Sequence, residues 1–213
     1  MTRACLILWT FSWILPAVTI DRIAVVVSGK RAIKTSDIER SLRITQFLNG
    51  EPLDVSGQAK KQALSRLIDQ ELIRRDMALV GNVARLEDEP KELLDQIRNN
   101  RFGGSKEKLD AELTRYGLTE SQLLERLEWQ LIVLRFIGQR FKPGIVISPN
   151  EVRTYHEKHL PELKRTNEDA SLEALSPKIR DTLEAEEVDR NFESWLETVR
   201  EHAEIEYKVD ELK

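Results

Sequence analysis

His156 and His159 are the residues most suggestive of metal chemistry, three apart with Glu157 between them. On a helix that spacing sets two imidazoles on one side. No third ligand stands at metal-site spacing, and the His-Glu-x-x-His arrangement of zinc hydrolases is absent. The pair therefore reads as solvated side chains near a helix end. His202 falls near a helix C-terminus, where a cation is favoured in any case. Phe102-Gly103-Gly104-Ser105 precedes a helix and has the makings of an anion nest, but a plain turn accounts for it. No nucleophile elbow, phosphate loop or dinucleotide fingerprint occurs. The expectation is a protein without catalytic residues, metal or cofactor.

Lys60-Lys61 and Arg74-Arg75, with Arg98 and Arg101, are the basic groups that would mark a nucleic-acid contact. Acidic residues are interleaved with them and the formal charge is −4, so they read as solvated helix faces and no nucleic-acid partner is expected. The remaining signal is apolar. Phe47, Leu48, Phe102, Tyr116, Trp129, Phe136 and Phe141 stand at helix ends or beside the main apolar stripes. Exposed together in a concave surface, they would form a groove for extended, unfolded polypeptide. Trp195, on a regular stripe, reads as core.

The elements that would position these residues are mostly helices. The longest spans 176–203, opened by Ser176 and Pro177. Ile179, Leu183, Val188, Phe192, Trp195, Leu196, Val199 and Ala203 draw a stripe along it, over a length of about 40 Å. Arg180, Asp181, Glu184, Asp189, Arg190, Glu193, Glu197 and Arg200 occupy the opposite side. Such a stripe needs a partner, and the other apolar helices all lie upstream. The tail is therefore expected to dock on the beginning of the chain. After it, Ile205, Tyr207 and Val209 alternate with Glu204, Glu206 and Lys208, the pattern of a half-buried strand. Its expected partner is the apolar run 22–28, because a lone strand is not stable.

Between these ends the chain reads as helix after helix. Ser36 with Glu39 reads as a capping box for a helix over 37–48, ended by Asn49-Gly50. Ser56 opens the next, to 81, with Ala63, Leu64, Leu67, Ile68, Leu72, Met77, Ala78 and Val80 inward. Pro90 marks a third, and 105–116 is a fourth, stopped by Gly117. Thr119 with Gln122 opens a long helix to about 141, carrying Leu123, Leu124, Leu127, Leu131, Leu134, Phe136 and Ile137. Ser148-Pro149-x-Glu151 opens a helix to 159. Residues 160–170 are polar and contain Pro161, and they read as a surface loop.

Residues 1–20 differ in character. A short basic start precedes an almost wholly apolar run over 4–15, then Pro16-Ala17. This reads as a secretory signal with a poor cleavage site; an uncleaved anchor tethering the chain to a membrane is the alternative. Cys5, the single cysteine, precedes that run. Removal of the signal would leave no thiol chemistry.

Four stretches carry a resemblance to the SurA family of periplasmic chaperones, related in plan to the PpiD and PrsA foldases. They are Asp21-Arg22-Ile23-Ala24-Val25-Val26-Val27 through Gly29 to Thr35-Ser36-Asp37-Ile38; Leu67-Ile68-Asp69-Gln70-Glu71-Leu72-Ile73 with Gly81; Gly117-Leu118-Thr119-Glu120 and later Ile147-Ser148-Pro149-x-Glu151-Val152-x-x-Tyr155; and Ile179-Arg180, Leu183, Val188, Trp195-Leu196 and Arg200 with the terminal strand. Their order covers nearly all of 21–213. In the family a parvulin isomerase domain follows the Ser-Pro-x-Glu helix. Here the corresponding gap, 160–175, is far short of the roughly 50 residues a domain needs.

The resemblance implies a mainly α fold: one helical chaperone domain over 21–213, closed by a long C-terminal helix, with a small sheet made by strands from both termini. It implies an exported, periplasmic, ATP-independent chaperone for unfolded envelope or outer-membrane polypeptides. An envelope scaffold or dimerisation protein with one fixed partner is the alternative, and a prolyl isomerase a more distant one. Exchange of the C-terminal helix between two copies stays open at this point, as does an inner-membrane anchored form.

Overall fold

The structure is a computed structural model, and it describes residues 21–29, 31–80, 86–167 and 169–212. Residues 1–20, read above as an export signal and including Cys5, and Gly81 lie outside the described residues. Strands β1 (Ile23–Val27) and β2 (Arg31–Lys34) lead into helices α1 (Thr35–Asn49), α2 (Gly57–Val80), α3 (Glu89–Phe102), α4 (Lys106–Arg115), α5 (Glu120–Phe141), α6 (Pro149–Thr166) and α7 (Leu172–Glu201). Strand β3 (Ile205–Tyr207) and a 3-10 turn (Asp210–Leu212) follow. The protein is mainly helical, with a long C-terminal helix and a small antiparallel sheet ordered β2-β1-β3. Among the described residues no helix is long and apolar enough to cross a membrane.

The two ends of the chain meet as their alternation demands. Val25 lies opposite Tyr207, Val26 opposite Glu206 and Val27 opposite Ile205. The chain turns from β1 toward β2 at Ser28-Gly29, where φ is 50° and 64°. Ser28 N–H donates to the Glu204 carbonyl at 2.7 Å and Lys208 N–H to that of Ala24 at 2.8 Å, extending the pairing at both ends of β3. Ala24, Val25 and Val27 are buried in a core with Ile38, Leu42, Ala63, Leu64, Ile68 and Leu72. Leu196, Val199, Ala203, Ile205, Tyr207 and Val209 pack on that core from the tail. A second core joins α1, α3, α4 and α5 through Ile44, Phe47, Leu94, Leu109, Leu113, Tyr116, Leu123 and Leu127. A third is small: Val152, Leu175 and Ile179, between α6 and α7.

Several helix starts follow from local chemistry. Ser105, Thr119 and Ser148 accept from Lys108, Gln122 and Glu151 N–H groups, and Gln122 and Glu151 return the bond to their caps. The start of α1 differs from expectation. Asp37, not Glu39, accepts from the cap, taking Lys34 N–H at 3.0 Å. Ser36 is drawn to Asp21 instead, through its N–H at 3.1 Å and its hydroxyl at 2.7 Å. The carboxylate that arrives from ahead of β1 wins the hydroxyl.

Two of the prolines used as boundaries, Pro161 and Pro177, lie inside helices. α6 runs through Pro161 to Thr166, so residues 160–166 are helix and not loop. α7 is capped by Ser171, which accepts from Ala174 N–H at 3.3 Å, and Pro177 is its sixth residue. Each proline forfeits one helical hydrogen bond. The compensation is burial: Leu163, Leu172, Leu175 and Ile179 all join the third core, and a buried leucine or isoleucine contributes about 1.5–3 kcal/mol. Over its 30 residues α7 reaches about 45 Å. Its first half therefore packs on α6, and its second half on α2 and α5. Arg200, expected on the solvent side, pairs with Asp69 of α2. Toward the end of α2 the stripe fades: Ala78, expected in the core, is exposed.

Charge at the turns makes the fold acid-sensitive. Asp21, Glu89, Glu107, Glu151 and Asp169 are held below the ordinary carboxylate range, chiefly by serine hydroxyls or backbone N–H groups. Their contributions are present above that range and are lost as pH falls through the lowered values. Asp69 runs the other way: burial raises it, and Arg200 only partly opposes this. Its contribution is greatest below its ordinary value and fades as pH rises through the raised one. Melting temperature is expected to fall from about pH 5 to about pH 3, and more steeply in Asp69→Asn, which lacks the opposing group. Melts of both proteins across that window check it; a shallower fall in the variant would contradict the assignment.

Candidate functional site

The seven residues proposed for a groove do not share one surface. Phe47, Leu48, Phe102 and Tyr116 gather at the end of α1. The Phe47 ring stacks on Phe102 with centroids 6.3 Å apart and meets Tyr116 edge-on at 5.7 Å. Phe47 is fully buried and Tyr116 nearly so. Arg101 covers Phe47 at 4.9 Å and donates to the Phe47 and Leu48 carbonyls at 2.8 and 3.2 Å, satisfying orphan groups at the end of α1. Arg101 thus acts as a helix cap, a role that its place in a polar stretch did not suggest. Tyr116 donates its hydroxyl to the Glu51 carbonyl at 2.6 Å. Its own carbonyl accepts from Arg43 at 3.2 Å.

Phe136 and Phe141 belong to a second aromatic group, where α5 crosses α7. Trp195 lies 5.8 Å from Phe136 and 5.6 Å from Phe141 between ring centroids, and Phe192 lies 5.7 Å from Phe141. Arg140 sits over Trp195 at 5.1 Å and pairs with Asp76 of α2 at 2.6 Å. Phe136 is buried. This group seats the second half of α7 on α5, with α2 tied in through Asp76.

Trp129 alone of the seven lines an open trough between α2, α5 and α7. Ile73, Val133, Leu134, Phe192 and Leu196 form its apolar lining, with Arg66, Asp69, Gln70, Arg126 and Gln130. Its volume is about 370 Å³, in the range of pockets that hold small ligands or side chains. A second hollow, lined by β2, α1, α2 and α5, shares Gln70, Arg126 and Trp129 with the first. The two therefore adjoin at these three residues. Arg74 lies over the Trp129 ring at 4.5 Å and pairs with Glu71 at 2.8 Å, which holds the indole at the junction.

Leu134 was expected inward on the stripe of α5, yet it is 64% exposed. α3 and α4 cover the first part of α5, and α7 covers its end. Leu134 falls where none of the described residues covers it. Periodicity could place it on a face but not say which neighbour that face meets. Ile73, Phe192 and Leu196 were legible only as stripe residues of their own helices.

The remaining chemistry-bearing residues have structural partners. His156 Nε2 lies 2.7 Å from the Ala170 carbonyl, tying α6 to the segment before α7, and His159 stacks on Tyr155 with centroids 4.3 Å apart. Both are half-buried and lie within α6, which extends beyond them. No group of three His, Cys, Asp or Glu side chains placed to hold a metal occurs among the described residues. Arg75 donates to the Ser28 hydroxyl at 2.7 Å, Arg98 pairs with Asp95 at 2.8 Å and Lys60 with Glu39 at 3.3 Å. Comparison with known protein families gives no match, and comparison with curated proteins gives none either.

Proposed function

We propose that the chain is a SurA-type chaperone module without a parvulin domain, exported to the periplasm, which holds unfolded envelope or outer-membrane polypeptides without nucleotide. The observation that carries this reading is the apolar trough left between α2, α5 and the returning α7, with Leu134 standing open on its wall. α6 and α7 are joined by residues 167–171 alone, too short a link for a catalytic domain. The order of elements supports the resemblance: paired terminal strands, a capped helical body and a long closing helix. Binding in such a trough gains roughly 25 cal/mol per Å² of apolar surface, and ordering of the client offsets much of it. Weak and broadly selective holding follows.

The test is suppression of aggregation of an unfolded outer-membrane protein by the purified chain. Suppression is expected at a few-fold molar excess. Leu134→Arg should weaken it about tenfold, because a charge replaces an apolar contact worth on the order of 1.5 kcal/mol. Its melting temperature should hold, since the side chain is largely exposed. No suppression by the parent protein, or undiminished suppression by the variant, would defeat the reading. Tight binding of one sequence and of no others would favour a fixed-partner scaffold.

A further inference from the structure

Two arginines meet in this trough, and among the described residues neither is paired with a carboxylate. Arg66 of α2 and Arg126 of α5 both line it, and each lowers the cost of nothing by standing near the other. Burial and the charge of Arg66 both pull the Arg126 guanidinium down from its ordinary value. The Arg66 Nε is closed off from solvent and has no hydrogen-bond partner among the described residues. The other arginines around the two hollows are engaged: Arg31 and Arg74 with Glu71, and Arg40 with Asp37. Asp69, the one carboxylate among the trough's described lining residues, is paired with Arg200.

From this arrangement we infer that the Arg66–Arg126 pair receives an acidic side chain of the bound polypeptide, so that the trough selects extended segments carrying an Asp or Glu among apolar residues. This rests on the peptide-holding reading above and adds the class of segment held. A guanidinium stays charged at any accessible pH, and two of them side by side in a partly dry site repel. A carboxylate between them relieves that repulsion and forms short, charge-assisted bonds to guanidinium N–H groups that face the trough. Alternate side chains of an extended segment share one face, so apolar neighbours of the acid fall on Trp129 and Leu134.

The experiment uses the purified protein and two dye-labelled peptides, blocked at both ends, apolar except for a central Glu in one and Gln in the other. Fluorescence anisotropy gives their affinities. The Glu peptide is expected to bind about tenfold more tightly. In the Arg66→Gln/Arg126→Gln double variant the two peptides should bind alike, at the affinity of the Gln peptide for the parent. Arg126→Gln alone should melt no lower than the parent, because it removes a repulsion; a purely structural arginine would show a loss. Equal binding of both peptides by the parent, or a preference that survives the double variant, would overturn this inference and leave the trough reading standing. Failure of both peptides to bind would overturn both.

Discussion

A chain that stops at Ala203 is expected to lose cooperative folding. The middle strand of the sheet, β1, would keep only β2 as a partner, and a two-stranded hairpin is marginal in water. The Ser28 and Lys208 bonds that extend the pairing would go with β3. Ile205, Tyr207, Val209 and Leu212 would leave the first core. Four apolar side chains that are buried or half-buried, at about 1–2 kcal/mol each, amount to roughly 5 kcal/mol. Whole domains are stable by only about 5–15 kcal/mol. Urea unfolding followed by circular dichroism should show a broad, low-midpoint transition in the shortened chain. A sharp transition at the parent midpoint would mean that the terminal strand is decoration and that α7 closes the fold unaided.

Phe47→Ala is expected to cost about 3–5 kcal/mol, the range for emptying a buried phenylalanine site. The ring is fully buried, contacts Phe102 and Tyr116, and carries Arg101 on its face. Arg101 also caps α1, so a shift of the guanidinium would unsettle the Phe47 and Leu48 carbonyls as well. Leu134→Ala, by contrast, should change stability by less than about 0.5 kcal/mol. The pair of variants separates support from contact. Phe47→Ala should lower the melting temperature by several degrees, and its residual folded fraction should bind peptide normally. Unchanged melting with lost binding would make Phe47 a contact residue and move the site to the end of α1.

These expectations divide along a line that also separates local from distant causes. The helix starts at Ser105, Thr119 and Ser148 were legible because a cap is a bond between residues three apart, and nothing distant competes for it. The union of β1 with β3 was legible for a different reason. Both runs are apolar, an isolated strand is unstable, and the chain offers no other clear partner.

Where distant groups compete, the sequence by itself was a poor guide. Ser36 lost its capping role to an encounter with Asp21. Pro161 did not end its helix and Pro177 did not begin one, because the burial of Leu163, Leu175 and Ile179 outweighs a missing hydrogen bond apiece. Arg101 became a cap through a carbonyl more than fifty residues away. Heptad-like spacing identified the apolar stripes of α2, α5 and α7, and so determined that they would pack. Only the tertiary structure decided how much of each stripe is covered, which leaves Leu134 and Trp129 on an open wall and brings Arg66 and Arg126 together. Apolarity is a property of a side chain, whereas exposure depends on what arrives beside it. The greasy surface and the unpaired charge of the trough both come from that second fact.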